Sequence, residues 1–119
     1  MSSEAVRQAT EKDFDGLVKQ GLSMVDFWAD WCGPCHMLAP VIEQFAEKHK
    51  GQVQVLKVNV DENPGLASRF AIHGIPTVVY IKDEKEVDRL VGVRPLSELE
   101  SVLGKHAAAP PQAPGKSGA

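Results

Sequence analysis

Two periods of apolar spacing alternate along the chain. Phe14, Leu17 and Val18 recur at helical spacing behind Thr10-Glu11-Lys12-Asp13, where a hydroxyl stands three residues ahead of a carboxylate, and Gly21 ends the pattern. A short first helix is predicted. Residues 24–29, Met-Val-Asp-Phe-Trp-Ala, are too few and too apolar for a surface element and fit a central strand covered on both faces, with Asp26 as the anomaly in its middle. Leu38, Val41, Ile42, Phe45 and His49 then follow i, i+3, i+4, i+7 steps, with Glu43, Glu47 and Lys48 on other faces, so a helix is predicted from about Cys32 to Lys48 and stopped by Gly51. Pro40 inside it lacks an N–H and crowds the preceding turn, which predicts a kink and not a break.

Residues 53–60 are β-branched and mostly apolar, a second inner strand. Asn63-Pro64 offers an N-cap and a first helical residue to a short helix carrying Leu66, Ala67 and Phe70, which Gly74-Ile75-Pro76 stops. Residues 77–81 and the more polar residues 86–91 read as two strands joined by Asp83-Glu84-Lys85-Glu86, a hairpin beside the sheet edge. Leu96, Leu99, Val102 and Leu103 mark a last amphipathic helix, its start open between Pro95 as first residue and Ser97-x-x-Glu100 as a capping box. The alternation gives an α/β sandwich with parallel inner strands and an antiparallel hairpin at one side, and part of residues 1–9 is open to a further strand. Residues 107–119 hold no large apolar side chain and are read as a flexible tail on a domain of residues 1–106.

At 119 residues, with 43% hydrophobic and 24% charged positions, the chain suits one ordinary globular core. Its net charge of -3 argues against nucleic acid as the main partner. No apolar run approaches the ~18 residues of a membrane span, and Met1-Ser2-Ser3-Glu4 lacks the basic and apolar regions of a signal peptide, so a cytoplasmic protein is expected. In that compartment two close cysteines are catalytic, redox-sensing or metal-binding more often than structural.

Both cysteines lie in Trp31-Cys32-Gly33-Pro34-Cys35, at a strand-to-helix junction where unpaired N–H groups and the helix dipole favour a thiolate on Cys32. Lowering a thiol pKa from ~8.5 to ~7 raises the thiolate fraction at neutral pH about sixteen-fold, and the loss of nucleophilicity takes back roughly six-fold. Acidity therefore explains little of the rate. Proximity explains more, because after Cys32 attacks a disulfide, Cys35 stands one helical turn away to resolve the mixed disulfide. Pro34 suits an early helical position, Gly33 removes bulk where a partner must approach, and Trp31 offers a flat apolar surface. A zinc site from Cys32, Cys35 and His36 is disfavoured, since it lacks a fourth ligand and neighbouring helical residues point apart. His49, His73 and His106 read as exposed or helix-end residues, and Trp28 reads as core. Taken alone, Lys57 is an ordinary strand residue, Asp26 a possible strand-end acid, and Pro76 a trans turn proline.

Residues 27–35, Phe-Trp-Ala-Asp-Trp-Cys-Gly-Pro-Cys, then Ala39-Pro40, Lys57-Val58-Asn59-Val60-Asp61, Gly74-Ile75-Pro76-Thr77 and Val91-Gly92, resemble the thioredoxin family in order and spacing over about residues 5–105. The resemblance implies a thioredoxin fold, a three-layer α/β/α sandwich with a central mixed sheet. It implies a general protein dithiol-disulfide oxidoreductase with Cys32 as nucleophile, Cys35 as resolving thiol, Asp26 as the buried carboxylate that handles the resolving proton, and Lys57 as its charge partner. Pro76 should follow a cis peptide bond, Ile75 should pair with an extended substrate, and Trp31, Gly33, Pro34, Ile75, Pro76 and Gly92 should form the docking surface. Disulfide-containing proteins and a thioredoxin reductase are the implied partners of a monomer that needs no bound cofactor or metal. A disulfide oxidase or isomerase, and a binding module without redox turnover, are the alternatives; Gly33-Pro34 leans toward a reductant. His36 departs from the Lys common in the family, and a group titrating near neutrality there would make the redox potential pH-sensitive. The hairpin departs too, with Asp83-Glu84-Lys85 in place of a tight Asn-Gly turn, which predicts a looser loop.

Overall fold

The computed structural model describes residues 4–107. The strands expected from the apolar runs form at Leu22–Trp28 (β2), Gln54–Asn59 (β3), Thr77–Lys82 (β4) and Lys85–Val91 (β5), and the open N-terminal segment adds Val6–Gln8 (β1). The helices are Phe14–Leu17 (α1), Gly33–Lys48 (α2), Pro64–Arg69 (α3) and Leu96–His106 (α4). The sheet order is β1-β3-β2-β4-β5, with β1, β3 and β2 mutually parallel and β4 and β5 antiparallel to their neighbours. A short crossover through α2 carries β2 to β3, so the run of Val and Ile on the inner strands is explained by helices on both faces.

Strand alternation divides the core in two. Val25, Phe27, Leu56, Val58, Val79 and Ile81 pack against Phe14 and Val18 around α1 and against Leu66 of α3. Met24, Val55, Val78 and Tyr80 point the other way, onto Leu38, Ile42 and Phe45 of α2 and Leu99, Val102 and Leu103 of α4. Helix α2 runs unbroken through Pro40. Helix α1 is a single turn with Asp13 as its N-cap and no side chain capping it; of the box the sequence suggested, only the Asp13 carboxylate accepting the Thr10 N–H at 2.7 Å forms.

Three local expectations are corrected. The β4–β5 connection is tight, a two-residue loop in which Asp83 (φ 49°) and Glu84 (φ 77°) are both left-handed, the backbone that matches strand twist. Contacts elsewhere enforce it: Asp83 donates its N–H to the Gly21 carbonyl (2.9 Å) and accepts the Gly21 N–H on its carboxylate (2.7 Å), while Glu84 N–H reaches the Val18 carbonyl. The Asn63 side chain does not cap α3; it bonds to Asn59 and Glu11, and the Glu11 carboxylate accepts the N–H groups of Gly65 and Leu66 instead. At α4, Pro95 is the residue before the first turn, and no side chain caps it. The proposed tail beyond Ala107 lies outside the described residues.

Candidate functional site

Strand β2 ends at Trp28, and within five residues the chain turns into α2. Cys32 is the N-cap of that helix, one position before the first turn, with extended backbone (φ -90°, ψ 106°) and Pro34 in the first turn. Its sulfur accepts the N–H of Cys35 at 3.1 Å, the orphan donor that a Ser or Asp would satisfy at an ordinary helix start. The two cysteines form a disulfide with their Cα atoms 5.3 Å apart. They are 4% and 3% exposed and pack with Ala29, Trp28, Val60 and Ile75.

Approach to the sulfurs is confined. The Cys32 sulfur lies 3.8 Å from the Ile75 carbonyl, and the Ile75-Pro76 peptide is cis. That loop is tied to the hairpin by Gly92, whose N–H donates to the Pro76 carbonyl at 2.8 Å from a backbone (φ 94°) that favours glycine. Beyond Gly33 a Cβ would meet no atom within 4 Å, so nothing in the chain itself requires glycine there; the open space faces outward beside Cys32. Trp31 is 70% exposed, yet its indole N–H donates to Asp61 at 2.8 Å. With Val60, Ala67, Ile72, His73, Gly74 and Ile75 it lines a cavity of about 220 Å³ next to the disulfide. The six expected docking residues therefore occupy one end of the sheet, at the α2 start, the cis-proline loop and the end of β5.

Asp26 lies on β2 opposite Lys57 of β3, and it is 1% exposed with neither carboxylate oxygen hydrogen-bonded. Burial pushes its pKa from 3.8 up to about 7, against the smaller lowering effect of Lys57. No salt bridge joins the two: the Lys57 ammonium sits 4.4 Å from the centroid of the Trp28 ring. His36 turns its Nε2 to the Asp30 carbonyl at 2.7 Å, donating, and packs edge-on to Trp28. Among the described residues no three His, Cys, Asp or Glu side chains are grouped to hold a metal ion.

Two participants were not singled out from the sequence. Asp61 was visible only as the end of a strand motif, and its bond to Trp31 joins residues 30 apart. Trp28 was read as plain core, although it is half-buried and carries the Lys57 ammonium. An aromatic two residues past a buried acid on one strand, and so on its face, was the available signal.

Comparison with known proteins agrees with this geometry. The Thioredoxin family model matches residues 5–105. A thioredoxin of Staphylococcus aureus is 46% identical over 102 residues, spanning 86% of this chain and 98% of that protein. Among solved structures, a mutant thioredoxin from Halobacterium salinarum NRC-1 matches with a TM-score of 0.81 at 33% identity, covering 93% of this chain and 98% of its own. A thioredoxin of Malassezia sympodialis matches with a TM-score of 0.79 at 32% identity, covering 91% and 96%. Matched along residues 5–105 and across nearly the whole of its bacterial relative, the chain belongs to the thioredoxin family, the dithiol-disulfide oxidoreductases that carry their redox centre in a Cys-x-x-Cys pair.

Proposed function

We propose that the protein reduces disulfide bonds of other proteins, with Cys32 as the attacking thiolate and Cys35 as the resolving thiol. One observation carries this assignment. The Cys32 sulfur sits at the helix N-cap with the Cys35 N–H already directed at it, so negative charge on that sulfur is met by a donor without reorganisation.

In the first step the Cys32 thiolate attacks one sulfur of the substrate disulfide, and the displaced sulfur leaves as a thiolate that takes a proton from solvent. Cys35 then gives its proton to the Asp26 carboxylate, and its thiolate attacks the Cys32 sulfur. The second substrate sulfur departs, the substrate holds two electrons more, and the protein holds the Cys32–Cys35 disulfide. A carboxyl with a pKa of about 7 is present as acid and base in comparable amounts near neutrality, which suits a group that must take and return one proton. Lys57, opposite Asp26 on β3, lowers the carboxyl's proton affinity from a distance, without a salt bridge. Trp31, Gly33, Pro34, Ile75, Pro76 and Gly92 receive the substrate, with its extended chain along Ile75.

A thioredoxin reductase returns the two electrons in this reading, and the protein works as a cytoplasmic monomer, a domain of residues 1–106 with residues 107–119 appended. No helix of the described residues is long and apolar enough to cross a membrane. Insulin reduction by dithiothreitol tests the activity, which catalytic amounts of the protein should accelerate. Cys35→Ser should lower turnover by about three orders of magnitude and accumulate mixed disulfides through Cys32. An unaccelerated insulin assay, or trapped species joined through another residue, would refute the assignment.

A further inference from the structure

Asp26 and Lys57 face each other directly across the parallel β2–β3 ladder. Both point to the α2–α4 side, because Met24 and Val55, two residues earlier on the same strands, belong to that core. Position alone would favour a salt bridge. The structure shows a different arrangement: both carboxylate oxygens lack a hydrogen-bond partner among the described residues, and the Lys57 ammonium rests on the Trp28 ring. Trp28 stands two residues beyond Asp26 on the same face. The His36 imidazole meets its ring edge-on with centroids 6.4 Å apart, and His36 in turn donates to the Asp30 carbonyl.

We propose that Trp28 is a positioning residue: by holding the Lys57 ammonium on its ring face it withholds that cation from Asp26, and so sets how readily the carboxyl takes up and releases a proton. An ammonium is attracted to the indole quadrupole most strongly where water is excluded, so ring and carboxylate compete for one cation. The remaining groups on this face leave the competition between these two. From β4 the residue opposite Asp26 is Val78, α2 contributes Cys35 and His36, and farther along Tyr80 donates to the Leu99 carbonyl while Asp88 is paired with His106. Direct contact with a cation lowers a carboxyl pKa by about 1–3 units, the opposite of what burial does here. Removing the ring should free Lys57 to swing onto Asp26.

The catalytic consequence rests on the proposed proton-transfer role of Asp26, but the coupling itself can be read without it. The experiment is an NMR titration of the Asp26 carboxyl carbon in the oxidised full chain, for the wild type, Trp28→Leu, Lys57→Met and the double variant. Trp28→Leu should lower the Asp26 midpoint by about one pH unit, a tenfold change in proton affinity, when Lys57 is present. With Lys57→Met the same substitution should move it by less than about a third of that. An equal shift in both backgrounds would mean that Trp28 acts by excluding water alone, and an unmoved midpoint would mean that it does not act; either overturns the proposal. If Trp28→Leu does not fold, Trp28→Phe, with a weaker ring face, should give about half the shift and the same dependence on Lys57. The pH profile of mixed-disulfide resolution should follow the NMR midpoint. A profile that stays fixed while the midpoint moves would remove the proton role of Asp26 and leave the coupling standing.

Discussion

The two faces of the central sheet are buried to similar depth but built from different material. Toward α1 and α3, β2 presents Val25 and Phe27, and its neighbours add Leu56, Val58, Val79 and Ile81, all apolar. Toward α2 and α4 the same strand presents Met24, then Asp26, then Trp28, so polarity rises toward the cysteines. Because successive side chains point to opposite faces, one strand packs the fold with its odd positions and carries its polar and aromatic groups beside the cysteines on its even ones. The apolar face supplies stability that lets the other face keep an unpaired carboxyl out of water.

If the apolar face also tuned the chemistry, this division would collapse. Phe27, packed against Phe70 with ring centroids 5.6 Å apart, is the place to look. Phe27→Ala should destabilise the fold by about 3–5 kcal/mol in denaturant melts and leave the pH profile of Cys32 alkylation in the folded protein unmoved. A shifted profile would break the distinction between the faces.

Asp26→Ala should do the reverse. The folded-state pKa of about 7 exceeds the ordinary 3.8, so the wild type binds more protons folded than unfolded, and its stability should fall as pH rises from about 4 to 7. At ~1.4 kcal/mol per unit the ionisation penalty is roughly 4 kcal/mol above neutrality. Less about 1–2 kcal/mol for the cavity left behind, the variant should be more stable than wild type by about 2–3 kcal/mol at pH 8, with the gain lost near pH 5 and the variant about 1 kcal/mol less stable at pH 4. A gain that does not vary with pH would show that Asp26 does not titrate in this window. The smallest change touches neither face. Glu84→Gly relieves a left-handed residue at the β4–β5 turn and should raise stability by about 1 kcal/mol without altering disulfide reduction.

Periodicity made most of the architecture legible, since a helix such as α2 or a strand such as β4 declares its buried face in a few residues. The Cys32–Cys35 pair and the misplaced charge at Asp26 were equally local, whereas the cis bond before Pro76 was implied only by the family resemblance. What escaped depended on partners distant in sequence. Nothing near Asp83-Glu84 announces a tight turn, because Gly21 and Val18 hold it from across the fold. Glu11 took the capping role expected of Asn63 by reaching α3 from 54 residues away. Lys57 was Asp26's charge partner only through the family resemblance; the structure sets it opposite Asp26, and the packing of Trp28 shows where its charge goes.

The bond between the Trp31 indole and Asp61 bears on association kinetics. A large aromatic side chain exposed at a contact surface ordinarily loses rotameric freedom when a partner arrives, at about 0.5–1.5 kcal/mol for each side chain immobilised. Here the indole N–H is already bonded to Asp61 in the free protein. If substrate docks on the proposed surface, one side chain there starts in its bonded position, and encounter should be limited more by how the partner is oriented than by rearrangement of that ring.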